Sequence, residues 1–283
     1  MPELPEIQAH AERLADDFGG RALTGFKALS FTALKTYAPK PDDAYDEALT
    51  GVGRRGKFLL LEFPSVHFVV HLMQGGRLKP DEKRSPKPRG GLARWLFDDG
   101  PALLLTEAGT EKKAGVWVIP SDADIAPGTH LEPFVGLGPD ADRVTLTELR
   151  ALLAGRSGRL HGFLRDQHQL AGLGRRLANE ICHRAQLSPF ANTSKLTADE
   201  GKQLFDAIAA CVDESLAYER SRDDMSSSKE RPGAVHHREG DPCPVCGDAV
   251  RAVEYSHYTV NYCATCQTGG KVLADNTTSK FLK

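Results

Sequence analysis

Apolar and polar residues alternate along this chain in two rhythms that change near its middle. From Pro5 to Phe18, apolar side chains recur at Ile7, Leu14 and Phe18 among charges, and the run stops at Gly19-Gly20. This is helical spacing with a glycine stop. Pro5 suits the first turn, where its missing N–H costs nothing, and Glu6 lies near the positive end of the helix dipole. Short β-like runs follow: KFLLLEF (57–63), HFVVHLM (67–73), ARWLFDD (93–99), ALLLT (102–106) and GVWVIP (115–120). Gly, Pro and Asp fill the turns between them. This half is predicted to be an antiparallel β-sandwich or barrel with one helix attached.

The segment SDADIAPGTHLEP (121–133) is rich in proline and glycine and marks a boundary. Beyond it the period turns helical. TLTELRALLAG (145–155) opens with Thr145 three residues before Glu148, the spacing of a capping box. Helical periodicity continues through RRLANEICHRAQL and TADEGKQLFDAIAACVDESLAYER, whereas RSRDDMSSSKERPG (220–233) is polar and reads as a loop. A small cysteine-bearing unit closes the chain. The fold class expected is α+β, with a β-sandwich domain over 1–127, a helical domain over 140–225 and a metal-bearing unit over 235–275.

Four cysteines change the picture. Cys243, Cys246, Cys263 and Cys266 form C-x2-C-x16-C-x2-C. Two CxxC pairs fill all four positions of one tetrahedral ion and leave none for water, so a single structural zinc is expected. A unit this small cannot be held by core burial alone, and the metal takes over that role. Cys182 and Cys211 lie on helical stretches and read as core residues.

Composition narrows the setting. In 283 residues, 40% hydrophobic and 26% charged, the net charge is −2, so any basic face must be built locally. No stretch approaches the roughly 18 apolar residues that span a membrane, and no basic segment followed by an apolar run marks a secretory signal. A reducing cytoplasm is the expected compartment. Basic residues cluster at Arg54, Arg55 and Lys57, at Lys79, Lys83, Arg84, Lys87 and Arg89, and at Arg175-Arg176 after Gly172 and Gly174. Amides freed by those two glycines at a helix start suit a phosphate. Three such runs beside a metal unit point to a DNA-facing surface.

The stretches MPELPEIQ, GRRGKFLLLEF, HLMQGGRL, LRDQHQLAGLGRRLANEICHRAQLSP and REGDPCPVCG with YCATCQ together span the chain. In this combination the sequence resembles the formamidopyrimidine-DNA glycosylase/endonuclease VIII family of base-excision-repair enzymes. The resemblance implies an N-terminal β-sandwich, a helical domain with a helix–two-turn–helix motif and a zinc finger, with damaged DNA held in the cleft between the halves of a monomer. It also implies a bifunctional DNA glycosylase and AP lyase. Once Met1 is removed, the secondary amine of Pro2 attacks C1′ of a flipped nucleotide. The iminium formed cannot lose its charge by deprotonation at nitrogen and acts as an electron sink for strand cleavage. An α-amino group titrates near about 8, leaving a nucleophilic fraction at neutral pH. Glu3 then serves as general acid/base during ring opening and Glu6 holds the amine in place. Lys57 contacts the backbone at the lesion, His71 contacts a phosphate, and Gly174 and Arg175 occupy the phosphate-binding turn of the motif.

This chain departs from the family pattern at residues that read DNA rather than at those that do chemistry. Tyr258 stands where relatives carry a phosphate-gripping arginine in the zinc hairpin. Gln74 stands at the position of a void-filling methionine, and Lys112, Lys113 and Ala114 replace an arginine–arginine–phenylalanine loop. Arg175 replaces an asparagine, His161 a lysine, and the loop between Asp223 and Val235 is short. The expectation is an active glycosylase with altered lesion and opposite-base recognition. The alternative is a catalytically weak or silent protein that binds damaged or structured DNA on the same scaffold.

Overall fold

Glycine and proline punctuation places the elements of the structure, a computed structural model that describes residues 1–225 and 230–273. Part of the predicted 220–233 loop, and the last two residues of the expected 235–275 unit, lie outside the described residues. The chain divides into two compact units, Met1–Gly136 and Leu137–Lys283.

In the first unit, α1 spans Leu4–Phe18 with Pro5 in its first turn. Eight strands follow: β1 (Leu23–Ala28), β2 (Gly51–Arg55), β3 (Phe58–Glu62), β4 (Val66–His71), β5 (Gly76–Asp81), β6 (Gly91–Phe97), β7 (Ala102–Glu107) and β8 (Gly115–Pro120). They form two antiparallel sheets, in the orders β1-β6-β7-β5 and β2-β3-β4-β8. The sheets meet through aromatic side chains. Phe26 of β1 and Trp95 of β6 pack on Phe68 of β4, at centroid separations of 5.5 and 5.8 Å. Trp95 and Phe68 are fully buried, and each such side chain contributes about 1.5–3 kcal/mol over its exposed state. The expected sandwich with one helix is what forms.

The second unit opens with α2 (Leu146–Gly155), capped by Thr145, whose hydroxyl accepts from the Glu148 amide as the spacing predicted. A short α3 (Leu160–Arg165) leads through a tight loop into α4 (Arg175–Arg184), and α5 (Ala198–Arg220) packs behind α4. Gln167 holds that loop together. Its Nε2 donates to the carbonyls of Arg165 and Leu173, and its Oε1 accepts from the Gly172 amide at 3.0 Å. Gly172 has φ of +100°, a backbone that only glycine adopts without strain. The Gly172 N–H is therefore taken up inside the loop, which corrects its expected role as a phosphate donor. Beyond α5, β9 (Val250–Tyr255) and β10 (Tyr258–Cys263) form a hairpin closed by α6 (Ala264–Thr268).

Candidate active site, metal centre and nucleic-acid interface

One end of the sandwich gathers the residues expected to do chemistry. Gly56 and Lys57 form a two-residue turn between β2 and β3, with Gly56 at φ +57°, the conformation of a primed hairpin turn. The cross-strand register sets Phe58 opposite His71, and His71 opposite Gly115. The other sheet pairs Gly76 with Glu107. The 56–57 turn, the 72–75 loop bearing Gln74 and the 108–114 loop bearing Lys112 thus share this end. Helix α1 points its N-terminus the same way. Phe18, at its far end, packs on Phe97 with centroids 5.3 Å apart, while Gln8 accepts from Arg54 Nε at 2.9 Å, beside the 56–57 turn.

Pro2 and Glu3 therefore lie at this end, with Pro2 partly exposed and Glu3 and Glu6 buried. The Glu6 carboxylate accepts from the Glu3 backbone N–H at 2.9 Å, which fixes the peptide that joins Pro2 to the helix. Lys57 is buried at 5% exposure although it sits in a hairpin turn. Burial, and secondly the Lys57 charge, bring His71 down to about 4, so its ring is neutral near pH 7. Nδ1 of His71 accepts from the Met73 amide at 3.0 Å, which leaves the ring proton on Nε2 as a donor. Gln74 and Lys112 are exposed, whereas Ala114 is buried and its amide donates to Glu107 at 2.8 Å. Ala114 is a strand-entry residue, not the tip of a DNA-probing loop. Met73, with φ of +51° and half-buried, is the one large apolar residue the 73–75 turn offers, and nothing in its sequence context signals that role.

One of the basic clusters resolves differently from expectation. Arg54 and Arg55 are buried; Arg55 Nε donates to the Ile125 carbonyl at 3.0 Å, as Arg54 does to Gln8. They tie elements of the sandwich together rather than forming a surface patch. Lys83, Arg84, Lys87 and Arg89 are exposed, as a solvated basic loop requires.

The four cysteine sulfurs of the second unit lie within 4.8 Å of one another. Cys243 and Cys266 are separated by 3.8 Å and Cys246 and Cys263 by 3.4 Å. A tetrahedron with metal–sulfur arms of about 2.3 Å has edges of roughly 3.8 Å, so the donor set fits a metal ion of that kind. Burial and the neighbouring sulfurs raise the Cys266 thiol, a repulsion that a dication removes. Cys243 is opposite in sign. Burial opposes its ionisation, but the Cys246 and Val245 amides and the His183 ring outweigh burial and bring it to about 6. Helix α4 docks on this centre with polar groups. His183 Nε2 lies 3.3 Å from Cys243 Sγ, and the Glu180 carboxylate accepts from the amides of Ala234, Val235 and His236. Asn179 contacts both His236 and Asn261. Cys182 and Cys211 are buried, and desolvation pushes Cys211 up to about 12; they are core residues, as expected.

The hairpin turn between β9 and β10 carries a stack. The Tyr255 and Tyr258 rings are 4.6 Å apart and 12° from parallel, and the Arg165 guanidinium lies 3.9 Å over Tyr258. Arg175, exposed at the start of α4, donates to the His257 carbonyl at 2.8 Å, and Gly174 is the N-cap of that helix. The structure thus brings Gly174, Arg175 and Tyr258 together.

Comparison with known proteins agrees with this layout. Residues 1–109 match the family described as formamidopyrimidine-DNA glycosylase N-terminal domain. The formamidopyrimidine-DNA glycosylase of Thiobacillus denitrificans is 30% identical over 278 residues, covering 94% of this chain and 100% of the relative. The chain belongs to the formamidopyrimidine-DNA glycosylase family.

An uncharacterized glycosylase-like protein of Mycobacterium tuberculosis is 42% identical over 149 residues, which cover 52% of this chain and 94% of the relative. Among solved structures, the Thermus thermophilus enzyme superposes with a TM-score of 0.79 at 25% identity, covering 96% of this chain and 100% of its own. The Lactococcus lactis enzyme bound to DNA containing an abasic site gives 0.81 at 19% identity, covering 94% and 99%, and shares the fold. His161, which the resemblance sets at a lysine position, is buried at 2% exposure. Burial, then the Arg165 charge, lower its pKa to about 3. Its ring is therefore neutral and carries no charge into this region. No helix among the described residues is long and apolar enough to cross a membrane.

Proposed function

We propose that this protein is a bifunctional DNA glycosylase and AP lyase that removes oxidised or otherwise damaged bases through the amine of Pro2. The observation that carries this reading is the N-terminus of α1, where the Glu3 amide is held by Glu6 at the end of the sandwich that also carries Lys57 and His71. Loss of Met1, which is 53% exposed, leaves Pro2 as a secondary amine. Its nitrogen attacks C1′ of the flipped nucleotide, the base leaves with the glycosidic electron pair, and the proton lost from the nitrogen neutralises the departing base by way of solvent. Glu3 delivers a proton to the ring oxygen as the sugar opens, giving an iminium between Pro2 and C1′. Removal of a C2′ proton then expels the 3′ phosphate. Lys57 and the Nε2 donor of His71 suit the phosphates flanking the lesion, and Gly174 and Arg175 suit the backbone further along. A structural zinc on Cys243, Cys246, Cys263 and Cys266 shapes the hairpin and takes no part in bond cleavage.

Borohydride reduces such an iminium to a stable amine, so trapping tests the reading. The untagged protein, with intact mass lacking Met1, is expected to form a covalent adduct with abasic-site DNA, and an uncleaved N-terminal tag is expected to abolish it. An adduct formed equally by the tagged protein rules out Pro2. DNA binding without any adduct leaves the silent binder as the correct reading.

Opposite-base choice is expected to be weak. Lys112 is a point charge without the planar fork that identifies a base edge. A bidentate reader is worth about 1–3 kcal/mol, so without one the excision rates opposite cytosine and adenine should differ by less than roughly fivefold. The unstacking cost of flipping is smallest where pairing is already absent, so single-stranded substrate should also be cut well. Excision of one lesion opposite C, opposite A and in a single strand measures this. Strong selectivity for C with no single-strand activity contradicts it.

A further inference from the structure

Most arginines of the second unit that carry an ion pair do so at short range. Arg156 pairs with Asp166 at 2.5 Å, Arg184 with Glu214 at 2.6 Å, Arg222 with Glu230 at 2.6 Å and Arg238 with Asp241 at 3.2 Å. Three others converge on the hairpin turn between β9 and β10, and none of them has a carboxylate partner among the described residues. Arg159 Nη1 donates to the Tyr255 hydroxyl at 2.7 Å, with its guanidinium 5.3 Å over the Phe190 ring. Arg165 lies 3.9 Å over Tyr258. Arg175 donates to the His257 carbonyl at 2.8 Å. Each is oriented by a neutral group, a phenol oxygen, a carbonyl or a ring face, so its direction is fixed while its charge is left unneutralised.

Arg165 is the most constrained of the three. It is half-buried, its Nε is buried without a hydrogen-bond partner among the described residues, and its guanidinium is carried by an aromatic ring. That ring is itself clamped, with Tyr255 stacked at 4.6 Å and the His161 ring parallel within 10° at 6.0 Å. His161 is neutral, so it adds rigidity and no charge. A chain with net charge −2 has here concentrated three pre-oriented guanidiniums on four consecutive residues, 255–258. Guanidinium presents donors in a fork that matches phosphate oxygens, and it keeps its charge at any physiological pH.

We propose that Arg159, Arg165 and Arg175 form one phosphodiester-binding face on this turn, with Arg165 as its central cation and Tyr258 as the ring that carries it rather than as a DNA contact. The inference rests on the DNA-acting reading above and assigns which side chains of the second unit hold the backbone. Tyr258 stands where relatives place an arginine, and the cation is supplied instead from the last residue of α3, across the ring.

The test is the salt dependence of binding by the full-length protein to a fluorescent duplex carrying a tetrahydrofuran abasic analogue. Each phosphate neutralised contributes a slope of about −0.9 in log K against log salt. Arg165→Gln is expected to flatten the slope by about one unit and to weaken binding uniformly across sequences. Arg159→Gln, an exposed position, should do the same and provides an independent reading if Arg165→Gln disturbs the hairpin. In Arg165→Gln/Tyr258→Arg, a cation returned to the turn should restore the slope. Slopes unchanged in both single variants overturn the proposal. Wild-type protein that fails to bind the duplex, and fails to trap with borohydride, overturns the DNA reading itself.

Discussion

Replacing Glu3 by glutamine is expected to lower single-turnover base excision by roughly 10²–10⁴-fold, the usual worth of a positioned general acid/base, while leaving the fold and the DNA affinity intact. The side chain is buried at the N-cap of α1, and its own amide is fixed by Glu6. Glutamine keeps the size of the group and an acceptor oxygen, so the cap and its packing survive. What it loses is the capacity to give a proton to the ring oxygen and take one back. Glu6→Gln supplies the contrast. Glu6 acts through an acceptor oxygen at 2.9 Å from the Glu3 amide, which glutamine retains, so a much smaller loss is expected there. Excision under single-turnover conditions, with a thermal melt of each variant, measures both. A Glu3→Gln enzyme within a few-fold of wild type, or one no more affected than Glu6→Gln, sinks the acid/base assignment and leaves Glu3 as a helix cap.

The strands that periodicity does not show all lie at sheet edges, although one edge strand, β8, is legible as GVWVIP. The centre of each sheet was legible. KFLLLEF, HFVVHLM, ARWLFDD and ALLLT cover most of β3, β4, β6 and β7, the inner strands of the two sheets, which are buried enough to read as continuous apolar runs. The outer strands β1, β2 and β5 show no such run, and GVGRR of β2 is broken by Gly51 and Gly53. LTGFKA is interrupted by Gly25, and GRLKPD carries Pro80, which a sheet tolerates at an edge. The short α3 was missed for a related reason, since six residues show barely more than one turn of pattern.

Site chemistry followed a similar division. The cysteine quartet is local in sequence, so spacing alone located it, whereas Glu3 and Glu6 read locally as an ordinary helix start and only the family resemblance marks them as site residues. Arg54 and Arg55 looked like a surface cluster because their partners, Gln8 and the Ile125 carbonyl, are 46 and 70 residues away. Arg159 and Arg165 carried no signal at all. Their partners on the hairpin turn are about ninety residues on, Tyr255 lying 96 residues from Arg159, and only folding shows that they converge there. Where function rests on side chains meeting across such distances, residue type and spacing are silent.

Cys243→Ser is expected to release the metal ion, unfold the closing hairpin and reduce DNA affinity by well over tenfold. The reason lies in what the hairpin is made of. One of its two small clusters consists of Val235, Cys243, Val250 and Cys263, with Cys266 packed against it, so the ligands are themselves most of the core. The other holds Val253, Val260, Tyr262 and Ala264. Eight buried residues of this size cover too little apolar surface to offset the ordering of the segment. Structural zinc, by contrast, supplies about 10–16 kcal/mol in isolated zinc-finger peptides, comparable to the whole stability of a domain, about 5–15 kcal/mol. Removing one thiolate leaves three ligands and a weaker oxygen donor, and that margin is lost. The damage reaches α4, because Asn179, Glu180 and His183 direct their polar groups into this segment and would be left without those partners. It also reaches the phosphate face, since Tyr255, His257 and Tyr258 stop orienting the three arginines. Cys211→Ala serves as the control: its thiol is buried away from the quartet, so the metal should stay bound. Native mass spectrometry should show one zinc in the wild type and in Cys211→Ala, and none in Cys243→Ser, with hydrogen exchange rising across 235–268 only in the last. A Cys243→Ser protein that keeps its zinc and its native affinity would mean that the four sulfurs do not form the load on which this hairpin depends.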